Sequence, residues 1–411
     1  MRAVLAPGIL PDTDQREADS ILRACVHCGF CNATCPSYQV LADERDGPRG
    51  RLYLMKHLLE GGEVTAETRQ HLDRCLGCKA CETTCPSGVK YTRLLDVVRP
   101  EIERRAPRSP PQRLVRWALR WIIPSPVRFK LLLAVGRAVR PLLPATLARR
   151  IPVRPVQSPV RTAGALPAVT STYALLPGCV QEAARPQINS AAERVFARQG
   201  IALQRLPGTG CCGALALHLG ATAEAEAAAR RNIDAWWPAL QAGKITGIVS
   251  ASTGCTQVLK DYAHLLRHDA QYAPRAAAVA AQIRDATELV DPSRLLGVRD
   301  ATKPVEARKV AIQCPCSLQH GLKGGSRLET LLGAAGLTPT PVAEGHLCCG
   351  SAGTYSLLQP EVAASLRARK LSNLAAGQPE QIVTANIGCL LHLAETSEIP
   401  VRHWLEVVDD A

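Results

Sequence analysis

The amino-acid sequence predicts a protein of mixed α+β and α/β class. We expect a mainly helical N-terminal domain at residues 1–100, a helical basic linker at 101–168, and two duplicated α/β domains at 169–300 and 301–411. Three observations predict this class. Eight cysteines lie in two tandem runs near the N-terminus, a basic Pro-rich segment follows them, and four further cysteines recur at a nearly fixed interval.

The composition indicates a folded chain with an unusual use of cysteine. The chain has 411 residues, of which 46% are hydrophobic and 17 are cysteine. A secreted disulfide scaffold is typically short and spreads its cysteines, whereas these cysteines are clustered. The first twenty residues contain no apolar segment of signal-peptide length. We therefore expect reduced, metal-binding thiolates in a cytoplasmic protein, and no membrane span, because no run of 18 apolar residues exists.

The two N-terminal runs have the same spacing, C-x2-C-x2-C-x3-C-P, which is that of bacterial two-cluster ferredoxins. In such proteins three cysteines of one run hold a cubane [4Fe–4S] cluster, and the fourth ligates the other cluster. Zinc is the alternative, but it favours two C-x2-C pairs separated by a longer loop. We predict two [4Fe–4S] clusters, the first held by Cys25, Cys28, Cys31 and Cys85 and the second by Cys75, Cys78, Cys81 and Cys35.

An internal repeat organises the C-terminal half. Cys179, Cys211, Cys212 and Cys255 recur as Cys316, Cys348, Cys349 and Cys389, at offsets of 137, 137, 137 and 134 residues. Short β-type runs precede the first and last cysteine of each set, and helical segments follow. This order predicts parallel strands with the cysteines near their carboxyl ends, where open α/β sheets bind ligands.

The repeated cysteines are candidate ligands of a further iron–sulfur or metal site in each repeat. An isolated buried cysteine is usually a packing residue, but eight in register favour a chemical role. Cys314 stands outside the repeat. We expect it to be a packed strand residue, although it could compete as a ligand.

The Cys…Cys-Cys-Gly…Cys pattern resembles the cysteine-rich (CCG) domain of heterodisulfide reductases and of respiratory 2-hydroxyacid and glycerol-3-phosphate dehydrogenase subunits. Together with the segments ADSILRACVHCGFCNATCP, DGPRGRLYLMKHLLEG and HLDRCLGCKACETTCPSGVKY, the chain resembles the iron–sulfur subunits of glycolate oxidase (glycolate dehydrogenase). The resemblance implies that a separate flavoprotein subunit oxidises glycolate to glyoxylate. This chain would then relay the electrons toward quinone, at the cytoplasmic face of the inner membrane.

One departure from heterodisulfide reductases affects the predicted sites. Their module ends C-x-x-C, whereas here Val258 follows Cys255 and His392 follows Cys389 at that spacing. Two complete non-cubane clusters are therefore not expected. His392 could complete the second site, since imidazole replaces thiolate in some iron–sulfur centres, or it could be a structural hydrogen-bonding residue. The alternatives for function are the same relay serving glycerol 3-phosphate or lactate, and a disulfide-reducing enzyme.

The linker carries the excess charge of the protein. Residues 104–161 hold thirteen Arg and one Lys, against a net charge of +13 for the whole chain. The segment RLVRWALRWII predicts an amphipathic helix that lies on an anionic membrane or packs on another subunit. No zinc-finger, RRM or KH motif accompanies the charge, so no nucleic-acid partner is expected. One face of the predicted amphipathic helix carries Arg113, Arg116 and Arg120. Another face carries Leu114, Trp117 and Trp121.

Two weaker signals remain. Residues 208–213 match G-x-G-x-x-G, but the second repeat lacks the first two glycines, so we do not expect a nucleotide or flavin site. Residues 46–50 predict a solvated turn before a helix. The alternative is that Arg49 and Arg51 of this segment raise the potential of a nearby cluster.

Overall fold

The computed structural model describes residues 1–144, 148–149, 151–152, 166–295 and 308–410. Its described residues form two compact units. The first unit contains Met1–Leu119, Leu215–Thr222 and His346–Lys370, and the second contains Arg120–Ala214, Ala223–Gly345 and Leu371–Ala411. The predicted domain boundaries stay predictions, although one helix crosses the position expected to end the N-terminal domain, residue 100.

The first unit is helical. Proline at the first helical position starts several of its helices, because its fixed φ suits that position and its missing N–H has no helical partner there. The helices that lie wholly or mostly in this unit are Asp12–Ala24, Phe30–Ala33, Pro36–Leu41, Pro48–Leu59, Ala66–Asp73, Ala80–Thr84, Tyr91–Arg105, Pro110–Ile122, Ala214–His218, Tyr355–Leu358 and Pro360–Ala375, with a 3-10 turn at Glu44–Asp46.

Apolar residues at helical spacing build the core of the first unit. In the helix Tyr91–Arg105, Leu94, Leu95 and Val98 are at most 1% exposed and therefore face the core together. This helix packs on the helices Asp12–Ala24 and Pro48–Leu59. These three helices provide the rigid support for the two N-terminal cysteine runs.

The second unit contains two four-stranded parallel sheets. The first has the order β2-β1-β3-β4 and the second the order β6-β5-β7-β8, so the repeat in sequence is also a repeat in topology. In the first sheet Tyr173 is in register with Gly247, and in the second Val310 is in register with Gln381. The strands are β1 (Ser171–Leu176), β2 (Ile201–Gln204), β3 (Gly247–Ser250), β4 (Ile283–Asp285), β5 (Lys309–Gln313), β6 (Thr338–Thr340), β7 (Gln381–Thr384) and β8 (Val401–His403).

The predicted fold class is confirmed. The central strands β1, β3, β5 and β7 coincide with the β-type runs that precede the cysteines, and each repeat cysteine outside the Cys-Cys pairs lies just beyond a strand's carboxyl end. The helices of this unit are Pro126–Val139, Cys179–Ala184, Gln187–Arg198, Thr222–Gln241, Thr253–Lys260, Tyr262–Leu265, Ala273–Ala281, Ala286–Leu289, Arg327–Ala334, Ile387–Ala394 and Trp404–Asp410, with 3-10 turns at Arg140–Leu142 and Pro292–Arg294 and a π-turn at Ser317–Gly321.

The two repeats share one hydrophobic core. Val249 of the first sheet and Val383 of the second belong to the same buried cluster, together with Trp404, which is 0% exposed. The helix Gln187–Arg198 of the first repeat packs on the helix Trp404–Asp410 of the second. Because burial of apolar surface is the main stabilising contribution to folding, each repeat depends on the other for its stability.

The linker helices differ in part from the prediction. The arginine face of the helix Pro110–Ile122 is not simply exposed, because Arg116 is buried with its Nη2 3.2 Å from Asp73 Oδ2. Arg120 Nε lies 3.1 Å from Glu224 Oε2. Two of the three arginines are therefore neutralised within the chain. Every helix in the described part of the chain is too short or too polar to span a lipid bilayer.

Candidate metal centres

The two N-terminal runs adopt the same loop conformation. In the first run the residues on either side of Cys28, His27 and Gly29, have φ values of 57° and 84°. In the second run the residues on either side of the equivalent cysteine, Gly77 and Lys79, both have φ values of 62°. Left-handed backbone is uncommon outside glycine, so its occurrence at four matching positions shows that spacing and geometry repeat together. The helices that follow the two loops, Phe30–Ala33 and Ala80–Thr84, pack on each other.

A first cavity, here called the first cluster site, brings the two runs together. It is lined by Cys25, Cys28 and Cys31 of the first run and by Cys85 of the second, with Cys81 also at its wall. The four cysteines predicted to hold the first cluster therefore line one cavity. Cys85, the last cysteine of the second run, thus lines the same cavity as three cysteines of the first run.

A second cavity, here called the second cluster site, has the reciprocal composition. It is lined by Cys35 of the first run and by Cys75, Cys78 and Cys81 of the second. Gly77 N donates to Cys75 Sγ at 3.4 Å, the kind of backbone N–H contact that favours a thiolate. None of these eight cysteines forms a disulfide. Their arrangement as two groups fits two [4Fe–4S] clusters, while the individual ligand assignments stay predictions.

The protonation of these thiols shows why they would need a metal. Burial, then the charges of Cys25, Cys28 and Cys35, raise the pKa of Cys31 to about 11. Burial and the neighbouring thiols likewise raise the pKa of Cys81. Several thiolates cannot remain charged this close together without a cation. Iron would release their protons and supply the compensating charge.

The turn at residues 46–50 is buried, so the expectation of a solvated turn is wrong. Arg51 is 1% exposed and Asp46 is 0% exposed. The Arg51 guanidinium donates from Nε to the His71 carbonyl at 2.7 Å and from Nη1 to Ser37 Oγ at 2.9 Å. Its Nη1 also lies 4.0 Å from Cys35 Sγ. Arg51 therefore belongs to the wall of the second cluster site.

In the first repeat the four predicted cysteines lie together. Cys179 Sγ donates to Cys211 Sγ at 3.5 Å. Hydrogen bonds to Cys211 and Cys255, followed by burial, raise the pKa of Cys212, so this thiol contacts both neighbours. Accepting from Cys179 lowers the pKa of Cys211. The sulfurs form one hydrogen-bonded cluster that could hold a metal, and such a site stays a prediction.

Two residues that the sequence analysis missed hold the Cys-Cys-Gly loop of the first repeat. Asn232 Oδ1 accepts from Gly210 N at 2.8 Å, and its Nδ2 donates to the Cys211 carbonyl at 3.0 Å. Tyr262 Oη donates to the Cys212 carbonyl at 2.9 Å. Both side chains are 0% exposed. An Asn within an Ala-rich helix was the available signal in the sequence, because such a side chain needs a specific partner wherever it is buried.

The cysteines of the second repeat are divided between the units. Cys316 precedes the π-turn Ser317–Gly321, and Cys389 lies in the helix Ile387–Ala394 together with the buried His392. Cys348 and Cys349 are buried in the first unit, where burial, followed by the charge of Cys348, raises the pKa of Cys78. A joint ligand set in this repeat stays a prediction, as does the role of His392.

The Cys348–Cys349 loop packs near the second N-terminal run within the first unit. Tyr355 Oη donates to the Arg74 carbonyl at 3.1 Å, one residue before Cys75. Tyr355 and Leu366 form an apolar cluster that includes Leu76. In contrast, Cys314 immediately follows β5 in the second unit and is half-buried, with its Sγ 3.7 Å from the Gly325 carbonyl. It is packed as expected, just beyond the strand.

Comparison with known proteins agrees with the two kinds of cysteine site. Residues 21–89 match the family described as 4Fe-4S dicluster domain, which confirms the prediction of [4Fe–4S] clusters in this part of the chain. Residues 173–260 and 310–394 both match the family described as Cysteine-rich domain. The duplicated half is thus recognised as two copies of one module.

Curated relatives match this chain over different shares of its length. The "Lactate utilization protein A" of Exiguobacterium sp. is 26% identical over 58% of this chain and 96% of its own length. The "Probable glycolate oxidase iron-sulfur subunit" of Bacillus subtilis is 28% identical over 92% of this chain and 90% of its own. The "Glycolate oxidase iron-sulfur subunit" of Escherichia coli is 47% identical over 96% of this chain and 95% of its own. The chain therefore belongs to the family of glycolate oxidase iron–sulfur subunits.

Proposed function

We propose that this chain relays electrons from a partner flavoprotein, which oxidises glycolate to glyoxylate, toward quinone. The observation that carries the proposal is the pair of cavities in which each N-terminal run contributes cysteines to both sites. Family membership supports glycolate as the substrate of the complex. The oxidation releases two electrons and two protons per glycolate, and reduction of a quinone to a quinol consumes the same number.

The residues of this chain would position the electron carriers. A [4Fe–4S] cluster takes up and releases one electron at a time without binding the organic substrate. The shared cysteines keep the two sites close, because each run holds part of both. The leucine-rich core behind the loops fixes their geometry and limits the access of water. Glycolate itself would be bound and deprotonated by the flavoprotein.

Anaerobic co-purification followed by substrate-dependent reduction tests this function. Glycolate, D-lactate and glycerol 3-phosphate would be added in turn while visible absorbance and EPR report cluster reduction. Reduction by glycolate through a co-purifying flavoprotein is the expected result. Reduction by D-lactate alone would favour the second candidate, a lactate relay, which the similarity to lactate utilization proteins suggests. Reduction by none of the three would overturn the proposed relay.

We also propose that the linker attaches the protein peripherally to the anionic cytoplasmic face of the inner membrane. Val127 and Leu131 of the helix Pro126–Val139 are 77% and 67% exposed, with Leu132 and Val135 also exposed. No acidic residue occurs between Glu103 and Glu182. Arg128 stacks on the exposed ring of Trp121, 4.3 Å from its centroid. An apolar surface with basic neighbours suits an anionic lipid interface.

Vesicle co-sedimentation tests the attachment. The double variant Leu131→Glu, Leu132→Glu should lose most binding to vesicles that contain anionic phospholipid. Val4→Glu is the matched control, because Val4 is 83% exposed and lies outside the linker. Equal binding of both variants would exclude this surface as the attachment site.

A further inference from the structure

On the basis of the proposed function, we propose a role for the buried network of Arg51, Asp46 and Arg74. The network raises the reduction potential of a cluster at the second cluster site above that of a cluster at the first. An electron that enters the N-terminal unit would then collect at the second site. Two sites that are nearly equivalent in sequence would thus differ in their affinity for an electron.

The network is built around one carboxylate. Asp46 Oδ1 lies 3.3 Å from Arg51 Nη2 and 3.1 Å from His71 Nδ1, and Asp46 Oδ2 lies 2.9 Å from Arg74 Nη1. The Asp46 carbonyl accepts from Ser37 Oγ at 2.9 Å. A planar guanidinium with donors on several sides suits Arg51 to this position. Lysine could not reach the same set of acceptors.

The network contacts a ligand of the second site directly. Cys35 Sγ lies 3.3 Å from Ser37 Oγ and 4.0 Å from Arg51 Nη1. A second cation of the network, Arg74, is the residue before Cys75. The nearby carboxylates of Asp43 and Glu67 pair with the exposed Arg45. Two guanidinium charges face the Asp46 carboxylate, which leaves one positive charge beside Cys35. Because Arg51 and Asp46 are each 1% exposed in their side chains, water screens this charge weakly.

The first site has cations nearby, but solvent and a counterion offset them. Arg49 Nη1 lies 3.4 Å from the His27 carbonyl, while its Nε is 2.6 Å from Glu44 Oε1. The Arg49 and Glu44 side chains are 36% and 42% exposed. The N-terminal amine of Met1 donates to the Cys25 carbonyl at 2.6 Å from a partly exposed position.

The loop of the second site also carries charges of its own. Lys79 and Glu82 are both partly exposed and opposite in sign, and Glu82 Oε1 accepts from Thr92 N at 2.7 Å. They offset one another, so the buried network decides the difference between the sites. Reduction adds one negative charge to a cluster that its four thiolates already make anionic. A nearby buried cation stabilises that added charge, and no proton needs to move.

Redox titration of the anaerobic holoprotein, followed by EPR, tests the assignment. A Cys28→Ser background would remove the first site and so identify the midpoint that belongs to the second. The principal variant is Arg74→Gln, because Arg74 is 24% exposed and can be removed at less cost to folding than Arg51. Arg51→Lys retains the charge but not the fork of hydrogen bonds, and it is the second variant. Arg49→Gln is the matched control near the first site.

The expected result is a lower midpoint for the second site in Arg74→Gln, with the first site unchanged. We expect at least a tenfold change in the equilibrium for electron exchange between the sites, or about 59 mV for one electron. Arg51→Lys keeps the charge and should therefore shift the same midpoint less than Arg74→Gln does, and Arg49→Gln should not shift it. An unchanged midpoint in Arg74→Gln, or equal shifts at both sites, would overturn the inference. Wild-type protein without EPR-active clusters would instead contradict the proposed function.

Discussion

Ser252 Oγ donates a hydrogen bond of 2.8 Å to Asn386 Oδ1, and these two residues occupy equivalent positions in the two repeats, three residues before Cys255 and Cys389. Thr253 N also donates to the Ala385 carbonyl at 3.3 Å. Contact between equivalent residues of two repeats indicates an approximate two-fold axis between them. The repeats of the second unit therefore pack as an isologous pair, with identical strand orders on each side.

Removing the Asn386 amide should weaken this pairing. In Asn386→Ala, Ser252 Oγ and Gly254 N lose their acceptor and Cys389 Sγ loses a donor at 3.5 Å. Leaving buried polar groups unpaired costs about 1–3 kcal/mol, so the free energy of unfolding in urea should fall by that amount. Ser252→Ala, which removes a single donor, should cost less. Equal stability of Asn386→Ala and wild type would contradict the importance of this contact.

The glycines of the two Cys-Cys-Gly loops should tolerate no side chain. Gly213 and Gly350 have φ values of +87° and +91°, and an added Cβ would lie 3.1 Å from the Ala225 carbonyl oxygen and 2.7 Å from the Ala363 carbonyl oxygen. Either alanine variant should lose about 1–3 kcal/mol of stability, with Gly350→Ala the larger loss. Gly333→Ala is the control. It lies in a helix with open space at Cβ and should gain about 0.5–1 kcal/mol.

The reciprocal sharing of cysteines can be tested by combining variants. Cys28→Ser and Cys35→Ser should each remove about four of about eight iron atoms. If Cys35 serves the second cluster site, the double variant should lose both clusters, since each substitution damages a different site. If Cys35 instead serves the first site, the double variant should retain one cluster. Iron analysis and EPR of anaerobic protein distinguish these outcomes, with Cys314→Ser as the control that keeps all iron.

A buried histidine should make the second unit sensitive to acid. Burial lowers the pKa of His403 to about 4, although the carbonyls of Ala251 and Ala385 oppose the shift. The unfolded chain, with a histidine pKa near 6.5, then binds more protons than the folded chain between these values. Stability is complete above pH about 6.5 and falls as the pH drops toward 4.

The expected loss between pH 7 and pH 5 is about 2 kcal/mol from this group. The side-chain amide of His403→Gln does not titrate. Its urea midpoint should therefore fall less between pH 7 and pH 5 than that of wild type. Only the change of stability with pH is compared, so the test remains valid if the variant is less stable than wild type at both pH values. An identical slope in the two proteins would show that His403 does not titrate as stated.

Much of the fold could be predicted because it follows local patterns. The strands β1, β3, β5 and β7 are apolar runs of four to six residues next to repeated cysteines, and they were found from the sequence. Three of the four outer strands, β4, β6 and β8, have three residues each. Runs of that length carry too little periodicity to be distinguished from loop. Their partners in the sheet, rather than their own residues, determine their conformation.

In the candidate sites, too, some features follow from local sequence patterns and others depend on partners that are distant in the sequence. The spacing of the eight N-terminal cysteines predicted two groups that each contain cysteines of both runs, and each predicted group lines one cavity, with Cys81 at both. Which thiols hold a cluster stays a prediction. The burial of Arg51 could not be predicted in the same way. Its acceptors include the His71 carbonyl, twenty residues away, and only the folded helices bring them together. An arginine is almost never fully buried without such partners, and the sequence does not reveal that they exist.

The pairing across the two-fold axis has a consequence for how the duplicated half can evolve. In a dimer of identical chains, a residue on the axis meets its own copy, so a serine must face a serine. Joining the two copies in one polypeptide removes that restriction, and here a hydroxyl donor faces an amide acceptor. Each half of the chain is thus free to specialise for a different role while the contact between them is kept.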